Sequence, residues 1–327
     1  MRPRRVALTG ATGFIGSAVL RALARDRDAA PRQERCVIRV LGRRLPDETA
    51  ALADEWVSAD LSEPGTLDGA CRDVDVLLHM AAALGPDEAR CARVNIGGTA
   101  ALAEEAVRGG VGRIVHLSTS AVYGPGPHRG IAVNEVVPAP TSAASRTRLA
   151  AEEHALAAGA VVLRPGLVTG AGDRWVVPAL ARLVEVAPAV WEGGRGLLSV
   201  VDVADLARLV VRLAHSPRPA GGTVWHASHP EPVRTGDLLA SLAAVGVLPA
   251  VEGHMPWEEC RRLLRESACG LNERQFALFA LDHWYDSSAV WRLASCPPGP
   301  GPLTRLEAAA EWYRGAVPAR QEDAAHR

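Results

Sequence analysis

Three glycines at regular spacing are the clearest chemical signal in the sequence. The segment TGATGFIG, residues 9–16, follows an apolar run and contains Gly10, Gly13 and Gly16. Glycines at such positions allow a tight turn, close approach of the backbone to a pyrophosphate, and close packing of helix on strand. The start of the following helix offers free N–H groups to an anion. The segment therefore predicts a dinucleotide site that also includes residues Thr12, Phe14 and Ile15.

The end of the second predicted strand indicates which dinucleotide is bound. Proteins that bind NAD place a carboxylate there for the ribose 2′-hydroxyl, but this sequence has Gly42, Arg43 and Arg44. Because arginine pairs bidentately with phosphate, we predict NADP(H) rather than NAD(H). Two solvated surface arginines are the alternative. Asp60, in SADL, is expected near the adenine, unless it only caps a turn.

Short apolar runs alternate with helical patterns along the chain, as in βαβ units. The predicted strands are 5–9, 36–41, 56–59, 74–80, 114–118, 161–163 and 224–227. The predicted helices are 16–25, 88–108, 145–158 and 203–215. Parallel strands between two helical layers are buried on both faces, which explains their nearly continuous apolar character. The pattern predicts an α/β fold with a doubly wound parallel sheet.

Composition narrows the class of protein. The chain has 327 residues, 48% of them hydrophobic, which is enough for a sizeable core. A formal net charge of −1 provides no basic field for nucleic acid, so we expect a small-molecule ligand. All 36 basic residues are arginines, which excludes a catalytic lysine. The cysteines lack the spacing of metal ligands or of a disulfide scaffold, and no apolar run is long enough for a membrane span, so we expect a cytoplasmic protein.

Eight motifs of this sequence resemble those of the extended short-chain dehydrogenases and reductases, and they occur in the order and at the spacing found in that family. They are TGATGFIG, ADL at 59–61, HMAAA at 79–83, VNIGGT at 94–99, LSTSAVYG at 117–124, RPGLVTG at 164–170, SVVDVADLARLVV at 199–211 and WYDSS at 284–288. The resemblance covers nearly the whole chain and implies a Rossmann core with a smaller C-terminal substrate domain. We expect the core over 1–170 with 197–229 returning to it, the substrate domain and lid over 171–196 and 230–317, and a frayed tail at 318–327.

The resemblance also implies which further residues contact the dinucleotide. They are Leu61, Ala81, Ala82 and Asn95, together with Pro165, Gly166, Leu167 and Val168 beside the nicotinamide amide.

The catalytic set of that family is incomplete in this sequence. The family uses a Ser or Thr at the end of the fifth strand, and a Tyr and a Lys in a YxxxK helix. Alignment of this sequence with the family's motifs places the catalytic hydroxyl at Thr119, with Ser118 and Ser120 beside it. The same alignment puts Ala144 at the position of the tyrosine and Arg148 at the position of the lysine. Arg148 can still bond the ribose hydroxyls, but an arginine does not move a proton. Reactions that need a tyrosinate base, including alcohol oxidation and the first step of sugar epimerases and dehydratases, are therefore disfavoured.

Reduction of an electrophilic carbonyl tolerates this loss. A general acid contributes about 10²- to 10⁴-fold, roughly 3 to 5 kcal/mol, whereas positioning contributes about 7 to 11 kcal/mol. A ketone with a neighbouring phenol, as in an aromatic polyketide, would bring its own acid. The absent Tyr and Lys and the apolar substrate region resemble atypical ketoreductases that act on angucyclinones in antibiotic biosynthesis. We therefore predict NADPH-dependent reduction of a ring ketone.

Other side chains are candidates for facing the substrate. His128, His254 and His283 fall in loops or in the substrate region, whereas His79 and His116 have the setting of core residues. The three tyrosines are expected to stabilise the fold rather than to act as the acid, and they are Tyr123, Tyr285 and Tyr313.

The substrate region is also unusually aromatic for a chain with only 4% aromatic residues. Its large apolar side chains are Met255, Trp257, Phe276, Phe279 and Trp284, with Trp175 and Trp191 from the preceding insertion. Together they predict a roomy apolar pocket with a lid. The core of the small domain is the alternative for each of them.

Two other classes of function stay open at the level of sequence. One is a sugar-nucleotide epimerase or dehydratase with a displaced acid and base. The other is a non-catalytic NADP-sensing protein, for which the lost Tyr and Lys are the best argument.

Overall fold

The computed structural model describes residues 2–216, 221–267 and 270–317. Its strands are β1 (Arg5–Thr9), β2 (Val37–Gly42), β3 (Glu55–Ser58), β4 (Val76–His79), β5 (Arg113–Leu117), β6 (His128–Ile131), β7 (Val161–Arg164), β8 (Leu167–Thr169), β9 (Val190–Trp191), β10 (Leu197–Leu198), β11 (Val200–Asp202), β12 (Thr223–His226), β13 (Val233–Arg234), β14 (His254–Met255) and β15 (His283–Tyr285). Its α-helices are α1 (Phe14–Ala29), α2 (Asp47–Ala50), α3 (Glu88–Cys91), α4 (Gly98–Arg108), α5 (Ala143–Ala157), α6 (Val176–Val186), α7 (Val203–His215), α8 (Thr235–Ala244), α9 (Trp257–Glu266), α10 (Glu273–Ala280), α11 (Ser288–Leu293) and α12 (Pro302–Ala316).

The main sheet has seven strands in the order β12-β7-β5-β4-β1-β2-β3, and every neighbouring pair is parallel. Each of the strands predicted from apolar runs is one of these seven. Helices α1 and α7 pack on one face of the sheet, and α4 and α5 pack on the other. The predicted α/β fold with a doubly wound parallel sheet is therefore confirmed.

A second hydrophobic core lies beside the sheet, in the region that the sequence predicts to be the substrate domain. It is built from α6, α8, α9, α10 and α12, with Trp191 and Phe276 fully buried inside it. A smaller sheet, in the order β13-β10-β15-β6, connects this domain to the loop after β5. The segment around α11 departs from the expected boundary, because Val290 and Trp291 pack into the core of the main sheet rather than into the second core. The Trp291 indole N–H also donates to the Ser228 carbonyl oxygen at 2.8 Å, which fixes it there.

The helix predicted over 88–108 is interrupted. Helix α3 is followed by a π-helical segment, Ala92–Gly97, before α4 begins. The wider turn carries Asn95, which is buried. In the described part of the chain, no helix is both long and apolar enough to cross a membrane. The expected frayed tail at 318–327 lies outside the described residues.

Candidate active site

The glycine turn after β1 has the shape that a dinucleotide requires. Gly10 has a φ of +73°, and a Cβ there would lie 2.7 Å from the Ala81 backbone nitrogen. A Cβ on Gly16 would lie 2.0 Å from the Gly10 carbonyl oxygen, so the helix packs tightly against the turn. Helix α1 begins at Phe14 without a side-chain cap, which leaves its first N–H groups free for an anion. The turn therefore fits the pyrophosphate of a dinucleotide, and Thr12 and Gly13 are exposed at its tip.

The loop after β2 has two exposed arginines and one acid. The Arg43 Nε lies 3.9 Å from the Asp60 Oδ2, and the Arg43 side chain is 69% exposed. Arg44 is also exposed. The Asp60 Oδ1 accepts hydrogen bonds from the Ser62 backbone N–H at 2.9 Å and from its hydroxyl at 2.7 Å. Burial by itself would raise the pKa of Asp60, but Ser62 and the charge of Arg43 outweigh it and lower the pKa.

The loop after β4 is fixed from behind by Asn95. The Asn95 side chain accepts from the Ala83 N–H at 2.7 Å and donates to the Ala83 carbonyl at 3.0 Å and to the Thr147 hydroxyl at 2.9 Å. Its hydrogen-bonding groups are thus used within the protein. Asn95 thus holds the loop that presents Ala81 and Ala82, and its direct contact with the cofactor stays a prediction. Both alanines are partly exposed, and so is Leu61.

The three candidate hydroxyls at the end of β5 have different surroundings. Ser118 is fully buried, and its hydroxyl donates to the Glu152 carboxylate. Thr119 accepts from the Ala121 N–H at 3.2 Å, which leaves its own proton free. Thr119 and Ser120 line a cavity of about 230 Å³, whereas Ser118 does not. The geometry therefore favours Thr119 and Ser120 over Ser118 for a direct catalytic role, which stays a prediction for all three.

Helix α5 brings Arg148 to the end of β5. It begins after Ser142, which forms a capping box with Ser145, and Ser145 reaches the cavity. Arg148 donates to the Leu117 carbonyl at 3.1 Å and to the Ser118 carbonyl. Burial lowers the pKa of Arg148 to about 10, against an opposing effect of the Glu152 charge. Arg148 is therefore charged at neutral pH and cannot serve as a base there.

The cavity lies between the main sheet and the substrate domain. From the sheet side it is lined by Gly166, Leu167 and Ser199, and the Pro165 carbonyl accepts from the Ser120 N–H at 2.9 Å beneath it. From the substrate domain it is lined by Arg274, Gln275, Leu278, His283 and Tyr285. Val168 continues into β8, where it pairs with Val201 of β11. The RPG turn and the β5 end thus meet at one cavity, as the motifs predict.

A second cavity, of about 320 Å³, adjoins the first. The two share Pro125, Arg274 and His283, and the second is lined in addition by Trp257, Glu273, Ala277 and Leu281. Helix α10 therefore separates two neighbouring spaces. The cavity positions on α10 have no signal in the sequence, because they resemble the exposed face of any short helix.

Half of the six aromatic residues expected around the substrate are core residues instead. Trp191, Phe276 and Phe279 are at most 3% exposed and belong to the second hydrophobic core, so their assignment to the pocket is wrong. Trp257 stacks on Phe276 with ring centroids 5.1 Å apart and forms part of the second cavity. Trp175 is 58% exposed. The remaining two members, Met255 and Trp284, are partly buried, with Met255 packed on the same core.

Of the three candidate histidines, only His283 lines the cavities. Its Nε2 accepts from the Gly126 N–H at 3.2 Å, and its Nδ1 lies 3.2 Å from the Leu281 carbonyl oxygen. Burial lowers its pKa, so the ring is neutral and both nitrogens are already bonded. His128 is buried beside it, and His254 is exposed on β14. His79 and His116 are core residues, each 3% exposed.

A buried ion pair supports the floor of the site. Arg164 donates to Glu152 from its Nε at 3.0 Å and from its Nη2 at 2.5 Å. Arg164 also donates to the Tyr123 hydroxyl at 2.8 Å, and that hydroxyl lies 2.8 Å from the His226 Nε2. Because Glu152 also accepts from Ser118, this network joins α5, the ends of β5, β7 and β12, and the turn that carries Tyr123.

Comparisons with known proteins agree with the α/β fold described above. The sequence profile of the NAD dependent epimerase/dehydratase family matches residues 6–226. The 4-hydroxy-2-methyl-3-oxo-4-farnesyl-3,4-dihydroquinoline-1-oxide ketoreductase of Stigmatella aurantiaca is 28% identical over 79% of this chain and 78% of its own. The 2-alkyl-3-oxoalkanoate reductase of Stenotrophomonas maltophilia is 26% identical over 79% and 81%. The dTDP-glucose 4,6-dehydratase of Streptomyces venezuelae, solved with NAD bound, superposes with a TM-score of 0.70 at 20% identity, over 95% of this chain and 97% of its own.

Proposed function

Because the chain belongs to the NAD dependent epimerase/dehydratase family, we propose that it is an NADPH-dependent ketoreductase. Its substrate would be a ring ketone of an aromatic polyketide, of the angucyclinone type, reduced in the cytoplasm during antibiotic biosynthesis. One observation carries the proposal: the glycine cradle for a dinucleotide is intact, while the positions of the usual acid and its helper are Ala144 and Arg148. The cofactor is kept and the base for alcohol oxidation is absent, which favours one-way reduction.

The chain's own residues account for binding and orientation. The turn from Gly10 to Gly16 would hold the pyrophosphate, and Arg43 and Arg44 would pair with the 2′-phosphate. Arg148 would bond the ribose hydroxyls, since it already reaches the end of β5. Bound NADPH supplies a hydride to the carbonyl carbon, and one proton goes to the oxygen, so ketone, NADPH and a proton become a secondary alcohol and NADP⁺.

The proton would come from the substrate. A phenol beside the ketone donates an internal hydrogen bond to the oxygen, and it can pass its proton to the alkoxide as charge develops there. Thr119 has a free hydroxyl proton at the cavity wall and would add a second hydrogen bond to the same oxygen. The phenolate that remains would regain a proton from water.

The relatives are compatible with this reading. Both curated relatives compared above are named as reductases of compounds whose names include an oxo group. The likeness to a sugar-nucleotide dehydratase rests on the fold alone. Among the described residues that line the first cavity, Arg274 is the only one with a permanent charge. A nucleotide diphosphate calls for more cationic contacts than this, so an uncharged polycyclic ketone fits the cavity better.

The experiment that tests the function is NADPH oxidation with a panel of matched ketones. A peri-hydroxylated aromatic ketone should be reduced to its secondary alcohol, and its methyl ether, which has no phenol proton, should react about 10²-fold more slowly. Equal rates for the two would contradict a substrate-supplied proton. Turnover of dTDP-glucose or UDP-glucose would favour the epimerase or dehydratase instead. Tight NADPH binding without turnover across the panel would favour an NADP-sensing protein.

A single substitution tests the same point from the protein side. If the substrate supplies its own acid, Ala144→Tyr should change the rate only a few-fold. A gain of about 10²-fold, the low end of what a general acid contributes, would count heavily against the proposal.

A further inference from the structure

We propose that the two adjoining cavities bind one substrate, with the ring ketone in the first cavity and a substituent of the ring in the second. Arg274, where the cavities meet, would bind an oxygen atom of that substituent. The inference rests on the proposed reduction and describes its substrate more closely, as a polycyclic ketone with an apolar side chain that carries a neutral oxygen acceptor. Arg274 is then a residue that determines specificity and not a catalytic one.

The sizes of the two cavities favour a single ligand that extends through both. The first measures about 230 Å³, whereas pockets for drug-sized ligands measure about 300 to 1,000 Å³. The second, of about 320 Å³, meets the first along Pro125, Arg274 and His283. Together they lie within that range and extend from Thr119 to Trp257. A substrate whose carbonyl group lies at Thr119 can therefore place a substituent beside Trp257.

One wall of the junction is fixed by contacts between a loop and the smaller sheet. The Gly126 N–H donates to the His283 Nε2 at 3.2 Å. A Cβ on Gly126 would lie 2.6 Å from the same nitrogen, so the loop lies directly on the imidazole ring. The His283 Nδ1 lies 3.2 Å from the Leu281 carbonyl oxygen, which holds the ring from its other side. This wall is therefore in place before a ligand binds.

Helix α10 and the residue after it form the other wall. The cavity positions follow one another at helical spacing, and they are Arg274, Ala277, Leu278 and Leu281. The opposite face of α10 is anchored in the second core, where the Phe276 ring contacts Trp191 and Trp257 with centroids 5.2 and 5.1 Å apart. The helix therefore presents one arginine and three apolar side chains to the cavities from a fixed position.

The charges around the second cavity favour a neutral oxygen over an anion. Within the described residues, the Arg274 guanidinium has no hydrogen bond or ion pair, so its N–H groups are available to a ligand. Glu273, which lines the same cavity, is paired with Arg261 at 2.7 Å. Arg261 also pairs with Glu258 at 3.0 Å, so this group of three keeps a net negative charge beside Arg274. That charge would repel a carboxylate but not an ester or ether oxygen.

Binding measurements test the subsite without turnover. Three probes share a peri-dihydroxylated anthraquinone ring: the bare ring, the ring with a short chain that ends in a methyl ester, and the ring with an alkyl chain of equal length. Each is titrated into protein saturated with NADP⁺. The wild type should bind the ester about tenfold more tightly than the alkyl probe, the effect of a hydrogen bond to a charged group. Arg274→Met keeps the length of the side chain and should remove this difference, whereas Arg262→Met, on the exposed side of α9, should retain it.

Two neighbouring substitutions on α10 test which cavity holds which part of the ligand. Ala277 lines only the second cavity and Leu278 only the first. Ala277→Phe should weaken binding of both chain-bearing probes about tenfold or more and leave the bare ring unaffected, whereas Leu278→Phe should weaken all three. Circular dichroism and NADPH affinity show whether each variant keeps its fold, and if Ala277→Phe does not, the result with Arg274→Met decides. Equal binding of the ester and alkyl probes by the wild type, or an equal loss for the bare ring in folded Ala277→Phe, would overturn the inference.

Turnover separates this inference from the proposed function. With a peri-hydroxylated ring ketone that carries the ester chain, Arg274→Met should raise KM about tenfold and leave kcat unchanged, because a contact remote from the carbonyl is made equally in the ground state and the transition state. A fall in kcat at unchanged KM would contradict a binding role for Arg274. If the wild type distinguishes the three probes as expected but reduces no ketone, the proposed function fails while the subsite stands.

Discussion

The substitution Glu152→Gln should destabilise the protein strongly, because it breaks a buried ion pair and leaves the other partner charged. The side chains of Glu152 and Arg164 are 2% and 6% exposed. Arg164 gives two hydrogen bonds to the carboxylate, and Ser118 gives it a third. Removal of one member of such a pair typically costs about 3 to 5 kcal/mol. Most of that loss is the penalty of an uncompensated guanidinium at a buried position.

The magnitude is measured by urea denaturation followed by circular dichroism. Glu152→Gln should lower the free energy of unfolding by about 3 to 5 kcal/mol, whereas the double change Glu152→Leu with Arg164→Met should recover most of the loss. The control is Glu266→Gln, which removes a surface pair with Arg262 in which both side chains are more than half exposed, and should cost less than about 0.5 kcal/mol. If Glu152→Gln cost no more than this control, the reasoning from burial would be refuted.

Three further outcomes follow from the cofactor side and from the core. Replacing Arg43 and Arg44 by Ala should weaken NADPH binding about tenfold or more and leave NADH binding unchanged, as measured by fluorescence titration; equal effects on both would refute the 2′-phosphate assignment. Gly10→Ala should abolish NADPH binding and cost about 1 to 3 kcal/mol of stability, because Gly10 has a positive φ and a Cβ there would lie 2.7 Å from the backbone of Ala81. The control is Gly65→Ala, where a Cβ meets open space, and this variant should bind NADPH and unfold as wild type does in the same assays. Burial lowers the pKa of His79 from 6.5 to about 4, with a smaller contribution from a nearby positive charge, so the unfolded chain binds a proton that the folded protein excludes. Stability from this group is complete above pH 6.5 and is lost as the pH falls towards 4, by up to about 3 kcal/mol, and His79→Gln should flatten that part of the pH profile of unfolding.

The main sheet could be predicted from sequence because its strands are buried on both faces. Each becomes a short continuous apolar run, and the strand order brings the carboxyl ends of β1, β4 and β5 together. The short strands of the second sheet, such as Leu197–Leu198 and Val233–Arg234, have no such signal, since two residues cannot display a period. The π-helical turn at Ala92–Gly97 has no sequence signal either, because the apolar pattern of 88–108 predicts a single continuous helix.

The candidate site was predictable as far as local motifs define it. Gly10 and Thr119 lie where their spacing placed them, because each belongs to a motif that directly follows a strand of the main sheet. Arg148 reaches the same edge from helix α5. Ser118 could not be excluded from sequence, since its partner Glu152 is 34 residues away and looks like an ordinary surface acid of a helix. Tyr285 has no sequence signal for the cavity for a similar reason, because only the pairing of β15 with β6 in the smaller sheet brings it there.

The pairing of Arg148 with the strand end also affects what the restoration of a tyrosine would show. Ala144→Tyr alone supplies an acid without the lysine that accompanies it in the family, and Arg148 is already bonded to two carbonyl oxygens of the strand end. A failure of Ala144→Tyr to raise the rate could therefore reflect either a substrate that brings its own acid or a tyrosine without its helper. The double variant Ala144→Tyr with Arg148→Lys separates these explanations.

If the phenol of the substrate supplies the proton, the double variant should reduce the peri-hydroxylated ketone within about threefold of the wild-type rate, yet it should accelerate reduction of the methyl ether by about 10²-fold. If instead it accelerates both ketones equally, proton transfer limits the wild-type enzyme with either substrate, and the phenol is not the acid.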